Sequence, residues 1–293
     1  LWYWYRRRRR RRQALPTESI TAHVDMVKAT FEAAFEMEAA MPQILEAAIY
    51  SCYENYGWCI DDDSNRYLKN RLDAFNGSGL YFPTLRDLID EVHVVVEEQG
   101  FDDRLKNDYI GSLVARLNGL IVGSKGQMLN CRKSIDFNWI IDHNVVLDLE
   151  ELKSGSDKAL LMGFILARLR ETMKARHDTE NEFKHITLIE EAHRLLSHTG
   201  LGANTSKAQS VEMFTDMLAE VRKYGECLVI VDQIPNKLAP DVLKNTNTKI
   251  IHRLFAQDDK DSVGNTMALS EEQRDHLSYL KVGEAVVFSQ GWN

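Results

Sequence analysis

The rhythm of apolar positions divides this chain into two parts. Between residues 21 and 57 they recur at helical spacing: Phe31, Ala34 and Phe35 with Glu38 first, then Ile44, Leu45, Ala48 and Ile49 beyond Pro42. Asp61-Asp62-Asp63-Ser64-Asn65 and Asn76-Gly77-Ser78-Gly79 read as loops. Leu85, Leu88, Ile89 and Val92 predict another helix, with Thr84 at its cap position after Pro83. A further helix is predicted over about Asp108 to Val122, stopping at Gly123. Residues 16–133 therefore read as all-helical.

From residue 134 the pattern changes. Strands are predicted at Asn144–Leu149, 185–191, 227–233, Lys249–Leu254 and Ala285–Phe288. Helices are predicted between them at Ser156–Arg176, Val211–Tyr224, Pro240–Lys244 and Glu271–Leu280. The helix over Ser156–Arg176 carries Leu160, Leu161, Phe164, Ile165 and Leu169 on its apolar side. This alternation predicts an α/β unit, a parallel sheet with helices on its faces. The runs ending at Ile189 and Val231 look like strands buried on both faces, with Cys227 a small core residue.

Both runs end abruptly in polar side chains, at the strand edge where open α/β sheets place ligands. Glu190 and Glu191 close the first. Two tandem acids suit metal-assisted phosphate hydrolysis: one holds Mg²⁺, usually through water, and the next polarises the attacking water. The alternative is a solvated helix start, where acids meet the positive end of the dipole. Gln233 ends the second run and is placed to sense a γ-phosphate and the attacking water; alternatively it initiates a turn before Pro235. Arg222, near a helix end, fits an arginine finger acting on a neighbouring subunit, or simply a cation at a helix C-terminus. His193 could serve acid–base chemistry, but reads instead as a residue that orients the helix start after the acids. With His198 five positions on, the pair has the wrong spacing for two ligands on one helix face.

No GxxxxGK[ST] phosphate loop occurs in these residues. Gly77-Ser78-Gly79 lacks the lysine, and Gly123-Ser124-Lys125-Gly126 has no strand before it. With Leu1 in place of an initiating Met, the expectation is that an N-terminal portion carrying the first strand and the phosphate loop is not in this sequence. The formal charge is −8, but Arg6 to Arg12 supply seven positive charges. Taking these from 36 Lys+Arg leaves 29 against 44 Asp+Glu, or −15 for the remainder. Such an acidic body excludes a generic basic nucleic-acid coat, so any nucleic-acid contact falls to local loops or symmetry-related copies. Residues 1–15, with Leu1-Trp2-Tyr3-Trp4-Tyr5 and the arginine run, are taken as an artefactual or unassigned tail. The four cysteines form no CxxC pair, and no apolar run approaches the roughly 20 residues of a membrane span. A cytoplasmic protein is expected.

Taken together, Leu188-Ile189-Glu190-Glu191-Ala192-His193-Arg194-Leu195-Leu196, Val221-Arg222-Lys223-Tyr224-Gly225 and Val231-Asp232-Gln233-Ile234-Pro235 resemble the HerA-type branch of the HerA/FtsK ATPases. So do Lys249–Leu254, Leu280–Val287, Met41-Pro42-Gln43-Ile44-Leu45, Tyr53–Trp58, and Arg116-Leu117 with Gly123. The resemblance covers about residues 20–290. It implies a RecA-like, mostly parallel sheet flanked by helices over 134–293, with 16–133 an all-helical insertion. It implies ATP and Mg²⁺ as cofactors. Glu190 would be the metal residue, Glu191 the water activator, Gln233 the sensor and Arg222 the residue acting in trans, with Arg253 among the nucleotide contacts. Glu190 stands where many such motors carry Asp.

The same resemblance implies a hexameric ring with duplex DNA in its pore. It also implies a partner effector, a nuclease or a sirtuin-like NAD-consuming enzyme, in DNA processing or phage defence. Lys125, Arg132 and Lys133 are the candidate DNA contacts; ordinary solvated turns are the alternative. Two other functions stay open: a ring scaffold that assembles an effector, and a conjugation-type secretion ATPase.

Overall fold

The computed structural model describes residues 18–76, 79–178, 183–198 and 205–291. The expected tail, residues 1–15, lies outside them. Six helices come first: α1 (Ile20–Ala34), α2 (Met41–Asn55), α3 (Leu85–Glu98), α4 (Asp103–Leu120), α5 (Gly123–Leu129) and α6 (Phe137–Ile141). Then follow α7 (Gly155–His177), β1 (His185–Glu190), α8 (Thr205–Glu220), β2 (Glu226–Val231), α9 (Pro240–Asn245) and β3 (Thr248–Ile251). The chain continues through α10 (Gln257–Met267) and α11 (Glu271–His276) to β4 (Val286–Ser289).

Capping explains several boundaries. Thr84 caps α3 in a reciprocal box with Asp87, as its position predicts. Helix α4 begins five residues before the expected Asp108, because the Asp102 carboxylate accepts the N–H groups of Arg104 and Leu105. Gly123 opens α5 instead of only ending α4. Helix α11 is shorter than expected; it starts on a Ser270–Gln273 box and ends at His276.

β1 and β2 pair in parallel, with His185 opposite Glu226 and Glu190 opposite Val231. β3 and β4 pair antiparallel, with Ile251 opposite Val286. The expected strand Asn144–Leu149 is absent: the segment joins no ladder, and Val146 is 91% exposed. Apolar alternation makes a strand only where a partner backbone takes up its hydrogen bonds. The expectation of strands buried on both faces is also corrected. Ile189 is buried, and Leu228 and Ile230 pack with it against the core. The opposite face is open, with Ile186 68% and Leu188 58% exposed beside Val229 and Val231. Cys227 lies on that open face and is exposed, not a core residue, because a period of two puts it with Val229.

Two hydrophobic cores meet along α1. Val24, Phe31 and Ala34 pack with Ile44, Leu45, Leu113, Leu120 and Leu160. Met26, Ala29 and Ala33 pack with Leu169, Met173, Ile189, Leu195 and Phe214. Thus α1 precedes residue 134 in sequence yet packs extensively on α7 and α8. Gly163 permits the close approach: a Cβ there would stand 2.6 Å from Thr30 Cγ2. Buried carboxylates align the helices. Glu171, 3% exposed on α7, meets His23 Nδ1 at 2.6 Å and Arg168 Nη1 at 2.7 Å. Glu32 on α1 accepts Ser210 Oγ of α8 at 2.6 Å. Glu18 binds Arg170 and Lys174, and Arg170 also reaches Glu220.

Burial alone would push the Glu171 carboxyl upward, but the charge and hydrogen bonds of His23 and Arg168 outweigh it and hold the pKa down to about 2. A depressed folded-state pKa stabilises the protein fully above the ordinary carboxylate range. That contribution is lost as pH falls from about 4.5 toward 2. Glu171→Gln is expected to lower unfolding free energy at neutral pH by about 2–3 kcal/mol and to flatten the loss below pH ~4.5. Urea unfolding of both proteins between pH 3 and 7 checks this; parallel curves would contradict it.

Candidate active site

Because β1 and β2 run in parallel, their ends arrive at one edge of the sheet. Glu190, the last residue of β1, is exposed on the open face opposite Val231. Glu191 follows with φ 50° and ψ 43°, a left-handed conformation that glutamate adopts only at a cost of about 1 kcal/mol or more. This turn swings the chain off the sheet into a short 3-10 segment, Ala192–Arg194, anchored by the buried Ala192, Leu195 and Leu196. The Glu191 carboxylate meets Arg194 Nε at 2.5 Å. The Arg194 hydrogen bond and charge hold the Glu191 pKa below the usual carboxylate range.

Gln233 lies two residues past the end of β2, exposed at the same edge. The residue before it dominates the local geometry. The Asp232 side chain, 3% exposed, accepts the His193 backbone N–H at 2.9 Å and meets His193 Nδ1 at 2.8 Å. Its other oxygen accepts the Ile234 N–H at 2.9 Å. A second tie lies further on: Ala239 N–H donates to Leu196 O at 2.8 Å, and His198 N–H to Lys237 O at 2.6 Å. Sequence reading passed over Asp232. The available signal was the one used for Glu190, a carboxylate directly after an apolar run.

The edge therefore gathers Glu190, Glu191 and Gln233. Arg222 is not among them: its 3-10 turn, Val221–Tyr224, leads into the start of β2, at the opposite end of the strand pair. Gly225 ends that turn at φ +84°, where an added Cβ would stand 2.0 Å from the Phe183 carbonyl oxygen. Arg253 follows β3 in the other sheet, its guanidinium over the Phe255 ring at 5.0 Å. Lys125 is engaged with Asp157 at 2.9 Å, Arg132 lies over the Tyr56 ring, and Lys133 is exposed. Among the described residues no three His, Cys, Asp or Glu side chains gather to hold a metal. Glu190 is exposed at the edge, and a carboxylate is a ligand type that Mg²⁺ accepts beside phosphate oxygens and water. No described helix is long and apolar enough to cross a membrane.

Comparison with solved structures finds VirB4 of Thermoanaerobacter pseudethanolicus, with a TM-score of 0.67 and 17% identity, over 96% of this chain and 70% of that one. At that identity the likeness shows the fold alone, an α/β fold like that of VirB4. No family model matches the chain. Its sequence is 27% identical over 210 residues to the DNA double-strand break repair helicase HerA of Sulfolobus acidocaldarius, covering 69% of this chain and 40% of that protein. It is 30% identical over 173 residues to HerA of Pyrococcus furiosus, covering 50% and 30%. A probable helicase of Methanocaldococcus jannaschii is 31% identical over 148 residues, covering 48% and 27%. The chain is thus similar in sequence to HerA helicases and spans at most 40% of the length of these relatives.

Arg194→Ala removes the partner that depresses Glu191. The Glu191 carboxyl is expected to titrate higher, back toward the ordinary carboxylate range. Carbon-13 NMR of labelled glutamate side chains reads this directly; an unmoved Glu191 titration would show that the pair does not form in solution.

Proposed function

We propose that this chain is part of an ATP-hydrolysing, DNA-translocating motor of HerA type. The observation that supports it best is the convergence of Glu190, Glu191 and Gln233 at one sheet edge, with Glu191 ionised beside Arg194. In this reading Glu190 holds Mg²⁺, which offsets phosphate charge when bound. Glu191 orients and deprotonates the attacking water, and Gln233 hydrogen-bonds the same water and the terminal phosphate. Arg194 engages only one oxygen of the Glu191 carboxylate, leaving the other to take that proton.

Arg222 stands far along the strands from these groups, which suits a residue serving the nucleotide of an adjacent subunit. A ring of identical subunits, six in the family resemblance, follows from that division of labour, with DNA in its pore. Arg253 would complete the nucleotide contacts. Lys125, Arg132 and Lys133 would supply basic loops toward the DNA, Lys125 only after release from Asp157. Partnership with a nuclease or sirtuin-like effector in DNA processing or phage defence rests on the family resemblance.

In the intact protein, Glu191→Gln is expected to lower ATP turnover by on the order of 10²–10⁴ while nucleotide binding persists. A coupled phosphate-release assay measures the rate and fluorescent-nucleotide titration the binding. Unimpaired turnover would contradict the role given to Glu191. Arg222→Ala subunits mixed into wild-type rings should depress turnover steeply, beyond their own fraction; strictly proportional loss would argue against action in trans.

A further inference from the structure

We propose that Asp232 is the positioning residue of this site: it sets how the glutamate pair stands relative to Gln233, acting through His193. The inference rests on the reading of Glu190, Glu191 and Gln233 just given. The β1–β2 ladder controls register only as far as Glu190 opposite Val231. Glu191 and Gln233 both lie beyond it, on loops that the ladder no longer holds.

One buried carboxylate bridges those loops. Asp232 takes two hydrogen bonds from His193, one from its backbone and one from its ring, and a third from the Ile234 backbone. An ionised carboxylate accepts only, so the ring hydrogen sits on Nδ1 and Nε2 faces away from the pair. Those donors replace the water that burial takes from the carboxylate. Each end of the bridge is also close in sequence to a candidate residue. His193 is two residues from Glu191, and Asp232 and Ile234 flank Gln233 on either side. Cohesion of the loops does not need this bridge, since the Leu196–Ala239 and His198–Lys237 backbone bonds and the buried Leu195, Leu196 and Leu238 already join them. What Asp232 adds is placed at the edge itself, where an error of about 1 Å in the reacting geometry costs up to ~10²-fold in rate.

The test compares steady-state ATP hydrolysis, with Mg²⁺, by the intact wild-type protein and by Asp232→Ala, Asp232→Asn, His193→Gln, Asp232→Ala/His193→Gln and Glu191→Gln. Asp232→Ala is expected to lower kcat by about 10- to 100-fold, with KM changed by less than about threefold. Asp232→Asn keeps one acceptor oxygen and should recover part of that loss. His193→Gln should cost less than Asp232→Ala, and the double variant no more than Asp232→Ala alone, because both act through one bridge. If Asp232→Ala does not fold, the drop in kcat at unchanged KM in His193→Gln and Asp232→Asn decides the matter. The proposal is overturned if Glu191→Gln abolishes turnover while these variants keep kcat within twofold of wild type. It is overturned equally if every loss follows thermal unfolding, with KM and kcat failing together and no recovery in Asp232→Asn. Full turnover by Glu191→Gln would instead sink the reading of the site itself.

Discussion

Parallel pairing of β1 with β2 is the constraint on which the site depends. Strands that run the same way end on the same side, so Glu190, Glu191 and Gln233 reach one edge although more than 40 residues separate the glutamates from the glutamine. Antiparallel pairing of the same two segments would send them to opposite ends. The crossover through α8 makes the parallel arrangement feasible, and Ile189, Leu228 and Ile230 tie one face of the pair into the core formed with Leu169, Met173 and Phe214. Beyond the ladder, where backbone pairing stops, the Asp232 carboxylate takes over its function.

Behind this edge the chain is held together by α1. Apolar burial provides most of the driving force, but it has no direction and would tolerate α1 sliding along α7. Buried carboxylates remove that freedom, since each must meet its own donors or pay heavily for lost hydration. Glu171 with His23 and Arg168, Glu32 with Ser210, and Glu18 with Arg170 and Lys174 together allow one placement of α1 against α7 and α8. Arg170 carries the same network to Glu220, at the end of α8 just before the turn that bears Arg222. The helix packing and the arginine turn are therefore parts of one electrostatic framework.

Most helices were legible in the sequence because helix signals are local. The start of α3 follows from Thr84, and apolar spacing placed α7 within a residue of its observed ends, Gly155 and His177. The start of α4 was missed for an equally local reason, the Asp102 cap. Strands were less legible. Asn144–Leu149 has the composition of a strand and makes no ladder, while Cys227, Ile186 and Leu188 were expected inside and stand exposed. An apolar run shows what a segment would bury, but whether anything covers it depends on distant parts of the chain.

The sequence by itself determined which polar residues close the apolar runs, and so named Glu190, Glu191 and Gln233 as candidates. It also determined the helix caps and the acidic balance of the body, because each is set by neighbouring residues or by a simple count. The alternation of strands and helices already implied parallel pairing, which β1 and β2 adopt; only the tertiary structure decided their register, that Arg222 lies at the far end from the glutamates, and that Lys125 is engaged by Asp157. It alone revealed Asp232 reaching across 39 positions to His193. Local preference acts over a few residues through backbone geometry. Contacts of this range exist only once the strands have found their register, and no pattern in either segment alone specifies that.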